Sequence, residues 1–269
     1  MKSLLFCAAL LFTAVATQAQ PFFMSPWSPL FKGVDYATGS QSAPGPQYGT
    51  NQQVNCLRVD LTDPDIEFLT TPRCTNCGNN ETLAENTSLF LERNSLQVAI
   101  NCNFYGGSGG ATDPPLGTPD SVIGLAISRG QIVSPADSID HAANLLLTTN
   151  NVPTFIPQNW PATASLDGVY TAVAGNVVLL TNGIVISNSV TTDPTDYDPR
   201  TAIGLSQARR YLYLLTIDGR DRTWSTGANF FQVGEWLTRF GAWDGFNVDG
   251  GGSTTMTMMN CQGTSTLTL

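Results

Sequence analysis

Near its end, this chain of 269 residues contains Phe246-Asn247-Val248-Asp249-Gly250-Gly251-Gly252-Ser253-Thr254-Thr255-Met256. Because successive side chains of a strand point to opposite faces, Phe246 and Val248 are expected to face the core, and Asn247 and Asp249 to share the other face. The three glycines that follow let the backbone turn left-handed and approach a ligand closely, and hydroxyl residues come next. The stretch predicts a polar-ligand or catalytic site at a strand end; the alternative is a glycine-rich turn with a capping Asp.

Strand-like alternation recurs upstream of this stretch, and two helical patterns interrupt it. A capping box at Thr82-Leu83-Ala84-Glu85 predicts a helix over 82–93, and an apolar stripe stopped by Gly241 predicts a second over 229–240. Asn182-Gly183 is typical of a hairpin turn. The pattern favours an α+β fold, one domain with a mixed, mostly antiparallel sheet and two main helices. Strands are expected at 53–60, 66–69, 97–101, 122–127, 131–133, 145–147, 171–174, 177–180, 184–186, 201–205, 211–217 and 246–249.

The N-terminus has the three parts of a secretory signal peptide, which we assign to residues 1–19. Lys2 supplies the positive end, a short apolar run follows, and Thr17-Gln18-Ala19 offers a cleavage site. The run is too short to span a bilayer comfortably, so a membrane anchor is disfavoured. We expect a secreted, periplasmic or extracellular protein without stable membrane insertion after cleavage. Residues 20–52 are expected to be a loose lead-in with at most one short strand, and residues 53–269 the domain itself.

The charge composition indicates which kinds of binding partner are expected. The chain is only 12% charged, with a net charge of −9, and removal of the signal leaves Lys32 as the sole lysine. Without a basic patch, nucleic-acid binding is not expected. The remaining cations are arginines, whose planar fork suits two-point contacts to phosphate or carboxylate.

Five cysteines remain after the signal is removed. Cys74-Thr75-Asn76-Cys77 has the spacing of a redox or zinc motif, but there is no second pair and His141 is the only histidine. A zinc site is therefore disfavoured. Because an exported chain can form disulfides, we expect a small disulfide loop at Cys74 and Cys77, or pairing of one of them with Cys56.

Polar side chains gather at several predicted strand ends. These are the Asn101-Cys102-Asn103 segment, the Asp198-Pro199-Arg200 turn, the Asp218-Gly219-Arg220 turn and the glycine-rich stretch itself. Together they contain more carboxylates, arginines and amides than turns require, and function is concentrated in loops on rigid sheets. A serine hydrolase that uses Ser253 and His141 is disfavoured, because 251–255 lacks the Gly-x-Ser-x-Gly elbow.

Four of these motifs, in this order, resemble the phosphodiester glycosidase family. They are Ala99-Ile100-Asn101-Cys102-Asn103-Phe104-Tyr105, Pro199-Arg200-Thr201-Ala202-Ile203-Gly204, Asp218-Gly219-Arg220 and the stretch from Asn247 to Met256. Cys102 replaces a usual glycine. The resemblance also implies a further loop and strand after Leu269, so the domain is expected to be truncated at its C-terminus or to lack that strand.

The resemblance implies an exported hydrolase that cleaves the glycosidic C1–O bond of a sugar 1-phosphodiester. Asp249 is the first candidate to stabilise or attack the oxocarbenium-like centre, and Asp218 is the second carboxylate or water activator. Arg200 and Arg220 are the candidates to hold the phosphate. The expected partner is a glycan or sugar-phosphate substrate. Candidate substrate-binding residues are Asn101, Asn103, Asn247, Gly250, Gly251, Gly252, Ser253 and Thr254.

Two other functions remain open at this point. One is a non-catalytic protein that binds a cell-surface polysaccharide. The other is a metal-assisted phosphodiesterase with Asp218 and Asp249 as ligands, for which Ca²⁺ or Mg²⁺ would suit the oxygen donors better than Zn²⁺. For the glycosidase itself no cofactor is expected.

Overall fold

A computed structural model describes residues 22–42, 51–106, 114–137, 141–157, 165–186, 196–260, 263 and 265–268. The signal peptide assigned to residues 1–19, most of the glycine-rich loop after Tyr105, and Cys261 lie outside these ranges. The described elements are mostly strands. They are β1 (Phe22–Met24), β2 (Ser28–Phe31), β3 (Val34–Gln41), β4 (Gln52–Asp60), β5 (Thr82–Leu83), α1 (Thr87–Arg93), β6 (Val98–Ile100), β7 (Pro119–Asp120), β8 (Ala126–Ser128), β9 (Gln131–Ser134), β10 (Ala143–Thr148), β11 (Pro153–Ile156), β12 (Val169–Gly175), β13 (Val177–Thr181), β14 (Ile184–Val185), β15 (Arg200–Leu205), β16 (Tyr211–Ile217), α2 (Phe230–Phe240), β17 (Asp244–Asn247), β18 (Met256–Met259) and β19 (Ser265–Thr268).

A large sheet organises the described residues. Its strand order is β1-β3-β4-β16-β15-β17-β13-β14, with β2 paired to β3 outside this path. A second sheet has the order β11-β10-β12-β8-β9, and two small sheets, β19-β18-β6 and β5-β7, complete the described pairings. All of the strand pairs with a described register are antiparallel. A mostly antiparallel β fold with two helices was predicted, and it is confirmed at that level.

The two faces of the large sheet are buried differently. One face packs against α2, where Trp236, Leu237 and Phe240 meet sheet residues such as Leu215. The opposite face meets the second sheet through side chains such as Leu145 and Phe246. The alternation along β16 explains this division, because neighbouring residues of a strand point to opposite faces. The site described below lies at one end of the face that meets the second sheet.

Helix α2 has the termini that its sequence predicts. Asn229 caps it by accepting a hydrogen bond from the Gln232 backbone, and the Gln232 side chain accepts one from the Asn229 backbone, so the capping box is complete. Gly241 ends it in the left-handed region at φ 107°. The Trp236 ring packs so tightly on the large sheet that a Cβ on Gly39 would lie 2.5 Å from it.

The expected start of the first helix is wrong. Thr82–Leu83 forms β5 instead, paired to β7, and Thr82 uses its hydroxyl to donate to the Pro72 carbonyl. The helix begins at Thr87, where the Asn86 side chain accepts a hydrogen bond from the Leu89 backbone at 2.8 Å. An Asn cap therefore replaces the predicted Thr cap, because tertiary pairing extends the chain at Thr82.

The expected strand over 66–69 is not formed. Side chains, rather than a neighbouring strand, satisfy its carbonyls: Asn151 donates to Ile66 O, and Thr171 donates to Phe68 O. The loose lead-in expected over 20–52 is also replaced, since β1, β2 and β3 occupy residues 22–41 and join the large sheet. Strand β17 ends at Asn247, two residues earlier than expected.

The hairpin and one of the two cysteine alternatives were predicted correctly. Asn182 and Gly183 have φ values of 52° and 75°, as the turn between β13 and β14 requires. Cys74 and Cys77 form a disulfide, so the alternative pairing with Cys56 is excluded. The Cys56 thiol is buried and free, and burial raises its pKa well above the usual range.

Candidate active site

The segment after β17 is fixed by its backbone before it turns. The Val248 N–H donates to Thr201 O at 3.0 Å, and the Asp249 N–H donates to Cys102 O at 2.9 Å. The Asn101 amide then donates to Asp249 O at 2.8 Å. Two separate parts of the chain, residues 101–102 and Thr201, therefore hold the backbone of Val248 and Asp249.

The Asp249 carboxyl group is half-buried and hydrogen-bonded within its own turn. The Gly250 N–H donates to Oδ1 at 2.9 Å, and the Ser253 side chain also hydrogen-bonds to the carboxylate. Burial raises the pKa of Asp249, and the bonds from Ser253 and Gly250 and the charge of His141 oppose the shift only in part. The site thus contains an acid that binds its proton more tightly than an ordinary Asp does.

Glycine is required where this turn meets an arginine. Gly251 has φ 60°, a conformation that other residues rarely adopt, and a Cβ there would lie 3.1 Å from Arg220 Nη2. A Cβ on Gly250 would lie 2.9 Å from Pro199 O. The bare backbone of 250–251 therefore passes directly beside the Arg220 guanidinium.

Arg220 remains accessible in this position. Its Nε donates to Asp198 Oδ1 at 2.9 Å, and its side chain is 59% exposed. Its own backbone is left-handed, at φ 64°, in a turn that pairs Asp221 with Ser225. An exposed guanidinium suits an anionic group, because arginine binds phosphate through two parallel hydrogen bonds.

Arg200 lies deeper and is held by the protein. Its Nε donates to Ala228 O at 2.9 Å, and its Nη2 donates to both the carbonyl and the carboxylate of Asp196. Its guanidinium carbon lies 4.4 Å from the centre of the Phe230 ring. These contacts tie the start of β15 to the start of α2, close to the backbone of Gly250.

Asp218 forms a second half-buried acid. The indole Nε1 of Trp224 donates to its Oδ2 at 3.0 Å. Burial raises the pKa of Asp218, and the Trp224 hydrogen bond opposes that shift. Trp224 itself is 56% exposed, so its ring presents an open face beside this carboxylate. No spacing in the sequence links Trp224 to Asp218, although both lie in the same short turn.

The three candidate amides all hydrogen-bond within the protein. Asn101 Oδ1 accepts from Thr201 Oγ1 and from the Thr255 N–H, in addition to the bond its amide donates to Asp249. Asn103 donates to the carbonyls of Ile123 and Leu125 and accepts from the Ala174 N–H. Their hydrogen bonds therefore join β6, the second sheet and the glycine turn.

Asn247 differs from the other two amides in its surroundings. It is 2% exposed at the end of β17, and its Nδ2 donates to Asn176 Oδ1 and to Val248 O. Its Oδ1 is buried, and no described residue donates a hydrogen bond to it. The Thr254 Oγ1 is likewise buried without a partner among the described residues, although the Thr254 N–H donates to Gly251 O.

Some of the predicted site residues line a cavity of about 790 Å³. Asn101, Asn103, Asp249, Gly252 and Ser253 line it. The other predicted site residues are absent from its lining, and Arg220 lies against Gly251. The glycine turn thus separates a cavity side, which bears Asp249, from an outer side, which bears Arg220.

His141 is a residue that sequence reasoning set aside. Its positive charge would lower the pKa of Asp249, its Nδ1 lies 3.4 Å from Asp137 Oδ2, and its ring packs on Phe104 at 4.8 Å between centroids. No spacing in the sequence connects it with Asp249. In the described ranges, no three His, Cys, Asp or Glu side chains are grouped as a metal site would require.

The fold and the site together define a class of protein. A β-rich scaffold presents a half-buried carboxylate, Asp249, and an exposed arginine, Arg220, beside one glycine turn. The sequence matches the phosphodiester glycosidase family over residues 94–266, and the chain belongs to that family. The recognition made from the four motifs is confirmed.

Solved structures share the fold at low sequence identity. The catalytic domain of zebrafish N-acetylglucosamine-1-phosphodiester α-N-acetylglucosaminidase, auto-inhibited by its pro-peptide, is 16% identical with a TM-score of 0.62, over 91% of this chain and 80% of that one. A hypothetical protein from Synechocystis is 12% identical, with a TM-score of 0.63 and coverages of 93% and 61%. A putative exported protein from Burkholderia pseudomallei K96243 is 12% identical, with a TM-score of 0.65 and coverages of 94% and 97%. No curated protein sequence matches the chain.

Proposed function

We propose that this protein hydrolyses the C1–O bond of a sugar 1-phosphodiester and releases the free sugar and a phosphomonoester. Membership of the family supports the reaction class. The observation that carries the proposal for this chain is the Asp249 carboxylate, directed by Gly250 and Ser253 and separated from the Arg220 guanidinium by only the bare backbone of Gly251. A carboxylate and a cation beside the same turn suit the opposite charges that develop at the two ends of the bond to be broken.

The charges of these residues indicate the part that each takes in the proposed reaction. Breaking C1–O leaves positive character on the sugar, which ionised Asp249 stabilises or attacks. The electron pair goes to the phosphate, whose negative charge Arg220 balances. Water supplies the oxygen that ends on C1, and Asp218 accepts its proton. The products are the sugar hydroxyl and a phosphomonoester.

The remaining predicted residues are proposed to position these groups. Asn101 holds the backbone of Asp249, and Asn103 ties the same segment to the second sheet. Arg200 braces the start of β15 near Gly250. The Arg200 charge still contributes to the positive potential at the turn. Because its N–H groups already donate to Ala228 and Asp196, Arg200 is proposed to bind the phosphate less directly than Arg220 does.

We further propose that the protein acts outside the cytoplasm. The signal-like segment of residues 1–19, the Cys74–Cys77 disulfide and the exported neighbour support this proposal. Among the described residues, no helix is long and apolar enough to cross a bilayer.

The reaction is tested by following the oxygen of water. The mature protein is incubated in H₂¹⁸O with UDP-N-acetylglucosamine and a panel of sugar 1-phosphodiesters, and the products are weighed by mass spectrometry. ¹⁸O in the free sugar is the expected result. ¹⁸O in the phosphate would instead show a phosphodiesterase, for which loss of activity in EDTA would indicate a metal-assisted mechanism. A folded protein without turnover on any member of the panel would favour the polysaccharide-binding function.

A further inference from the structure

The cavity behind Asp249 is too large and too apolar to serve only the reacting bond. It lies between the large sheet and the second sheet, on the face opposite α2. Ile203 and Leu214 line it from the large sheet, and Leu145, Leu147 and Val173 line it from the second sheet. Its volume of about 790 Å³ falls in the usual range of small-molecule sites, whereas ordinary cores contain few voids larger than a water molecule.

Polar and charged side chains line part of the cavity, among them Glu67, Glu85, Gln97 and Asp120. Asp249, Ser253 and Asn101 form one end, at the glycine turn. Lys32 and Asp65, which pair with each other, lie among the other lining residues. The walls formed by the two sheets are mostly aliphatic, so a polar ligand would lose hydrogen bonds to water there without replacing them. These walls favour a hydrocarbon.

The rim of the cavity is also apolar. Leu83, Tyr105 and Leu116 line it and are 38%, 36% and 58% exposed. Exposed apolar side chains around a cavity mark a binding surface more often than scattered single residues do. A chain of methylene groups that enters here would remain in apolar contact from the rim to the interior.

The positions of Arg220 and Asp249 indicate which part of the substrate would enter the cavity. Arg220, the accessible phosphate-binding candidate, lies on the outer side of Gly251, and Asp249 faces the cavity. A substrate with its phosphate at Arg220 and its anomeric carbon at Asp249 directs the sugar, rather than the alcohol of the phosphodiester, toward the cavity.

We propose that the cavity binds a hydrocarbon chain attached to the sugar, so that the preferred substrate is a 1-phosphodiester of an acylated sugar. The inference rests on the proposed function for the orientation of the substrate. The hydrocarbon-binding site itself depends only on the shape and chemistry of the cavity, and it can be tested without turnover.

Binding is measured first, by calorimetry with two uncharged probes below their micellar concentrations, N-dodecanoylglucosamine and N-acetylglucosamine. We expect the dodecanoyl compound to bind at least about tenfold more tightly, with a negative heat-capacity change from apolar burial. Equal affinity, or no binding of the dodecanoyl compound, would overturn the proposal whether or not the protein is an enzyme.

Two variants locate the bound chain. Val173→Phe places a ring in the cavity, whereas Ile132→Phe makes a comparable change at a 48% exposed position of the same sheet that does not line it. Val173→Phe is expected to weaken dodecanoyl binding about tenfold or more, with its melting temperature maintained because the ring occupies open space. Ile132→Phe should change neither property. A large fall in the melting temperature of Val173→Phe alone would show that the space is already packed, against the proposal.

Turnover then identifies which part of the substrate carries the chain. Three diesters are compared: N-acetylglucosamine 1-(ethyl phosphate), its N-dodecanoyl analogue, and N-acetylglucosamine 1-(dodecyl phosphate). The N-dodecanoyl compound is expected to have the highest kcat/KM. Preference for the dodecyl phosphate would assign the hydrocarbon to the alcohol and overturn the orientation. If none is hydrolysed although N-dodecanoylglucosamine binds, the proposed reaction fails and the hydrocarbon site stands.

Discussion

Asp249 owes its proposed role to two opposing effects at a single carboxyl group. Burial raises its pKa, and hydrogen bonds from Gly250 and Ser253 keep the ionised form accessible and correctly directed. A fully exposed Asp would be ionised but poorly directed, and a fully buried one would stay neutral at working pH. The balance depends on the turn at Gly251, whose φ of 60° other residues rarely adopt and where a Cβ would lie 3.1 Å from Arg220 Nη2.

Replacement of this carboxylate tests the centre of the proposal. Asp249→Asn keeps the size of the side chain but removes the charge that stabilises the developing cation. We expect a loss of kcat of about a hundredfold or more, with an unchanged melting temperature. Activity on the best diester from the ¹⁸O panel is the measurement, with Asp221→Asn as the control on the neighbouring turn. Undiminished kcat in Asp249→Asn would assign the chemistry to another group.

Trp224 provides a finer test at the second acid. Trp224→Phe retains an aromatic ring but removes the N–H that donates to Asp218. Because this hydrogen bond lowers the pKa of Asp218, its loss raises that pKa further. If Asp218 must be ionised to accept a proton from water, the acid limb of the pH–kcat profile should move to higher pH. An unmoved limb would indicate that Asp218 does not act as the base.

At the scale of elements, α2 supports the site from behind the large sheet. Its start touches the site through Phe230, whose ring packs on the Arg200 guanidinium, and its middle buries Trp236 completely. Trp236 also donates to Gln52 Oε1 at 2.7 Å, which joins the helix to β4. The helix thus positions β15 and, through it, the strand that leads into the glycine turn.

The cap of α2 is expected to contribute measurably to this support. Asn229→Ala removes the side-chain oxygen that accepts from the Gln232 backbone, which should lower the free energy of unfolding by about 1 kcal/mol. Urea unfolding at neutral pH measures the change. Asn86→Ala, at the cap of the seven-residue α1, is the matched comparison. No change in either variant would mean that packing alone determines where the helices start.

At the scale of the whole molecule, charge pairs connect strands that are distant in sequence. Asp60, at the end of β4, accepts from the Arg210 guanidinium just before β16, at 2.7 Å. This pair and the hydroxyl of Thr62 lower the pKa of Asp60 from 3.8 to about 2. A folded-state pKa below the unfolded value means that ionised Asp60 stabilises the fold above pH 3.8, and that this stabilisation is lost as the pH falls toward about 2.

The corresponding prediction concerns stability against acid. Asp60→Asn should be less stable than the wild type at neutral pH, with the difference disappearing as the pH approaches the folded-state pKa of Asp60. Thermal unfolding across this range measures it. Asp167→Asn serves as a control, because Asp167 is exposed and the structure describes no ion pair for it. A difference that persists at the lowest pH would mean that packing, not charge, stabilises this corner.

Features that depend on neighbouring residues could be predicted from the sequence. Strand alternation, the Asn182-Gly183 turn and the Asn229 to Gly241 helix signals each depend on residues within a few positions, and all three were predicted. The four motifs likewise identified the family. Local signals were misleading where distant residues compete for the same backbone. Thr82 pairs with β7 as a strand instead of capping a helix. Carbonyls within 66–69 accept hydrogen bonds from distant side chains instead of from a neighbouring strand.

The hydrogen-bond partners of the predicted site residues depend on contacts between distant parts of the chain. Asn101 and Asn103 were predicted as site residues from the sequence, but their hydrogen-bond partners lie far along the chain. The spacing of the motif therefore could not show that Asn101 holds Asp249 or that Asn103 contacts the second sheet. The interaction of His141 with Asp249 and the cavity between the sheets have the same origin. They arise from long-range antiparallel packing, in which the contact between two faces depends on every strand that separates them.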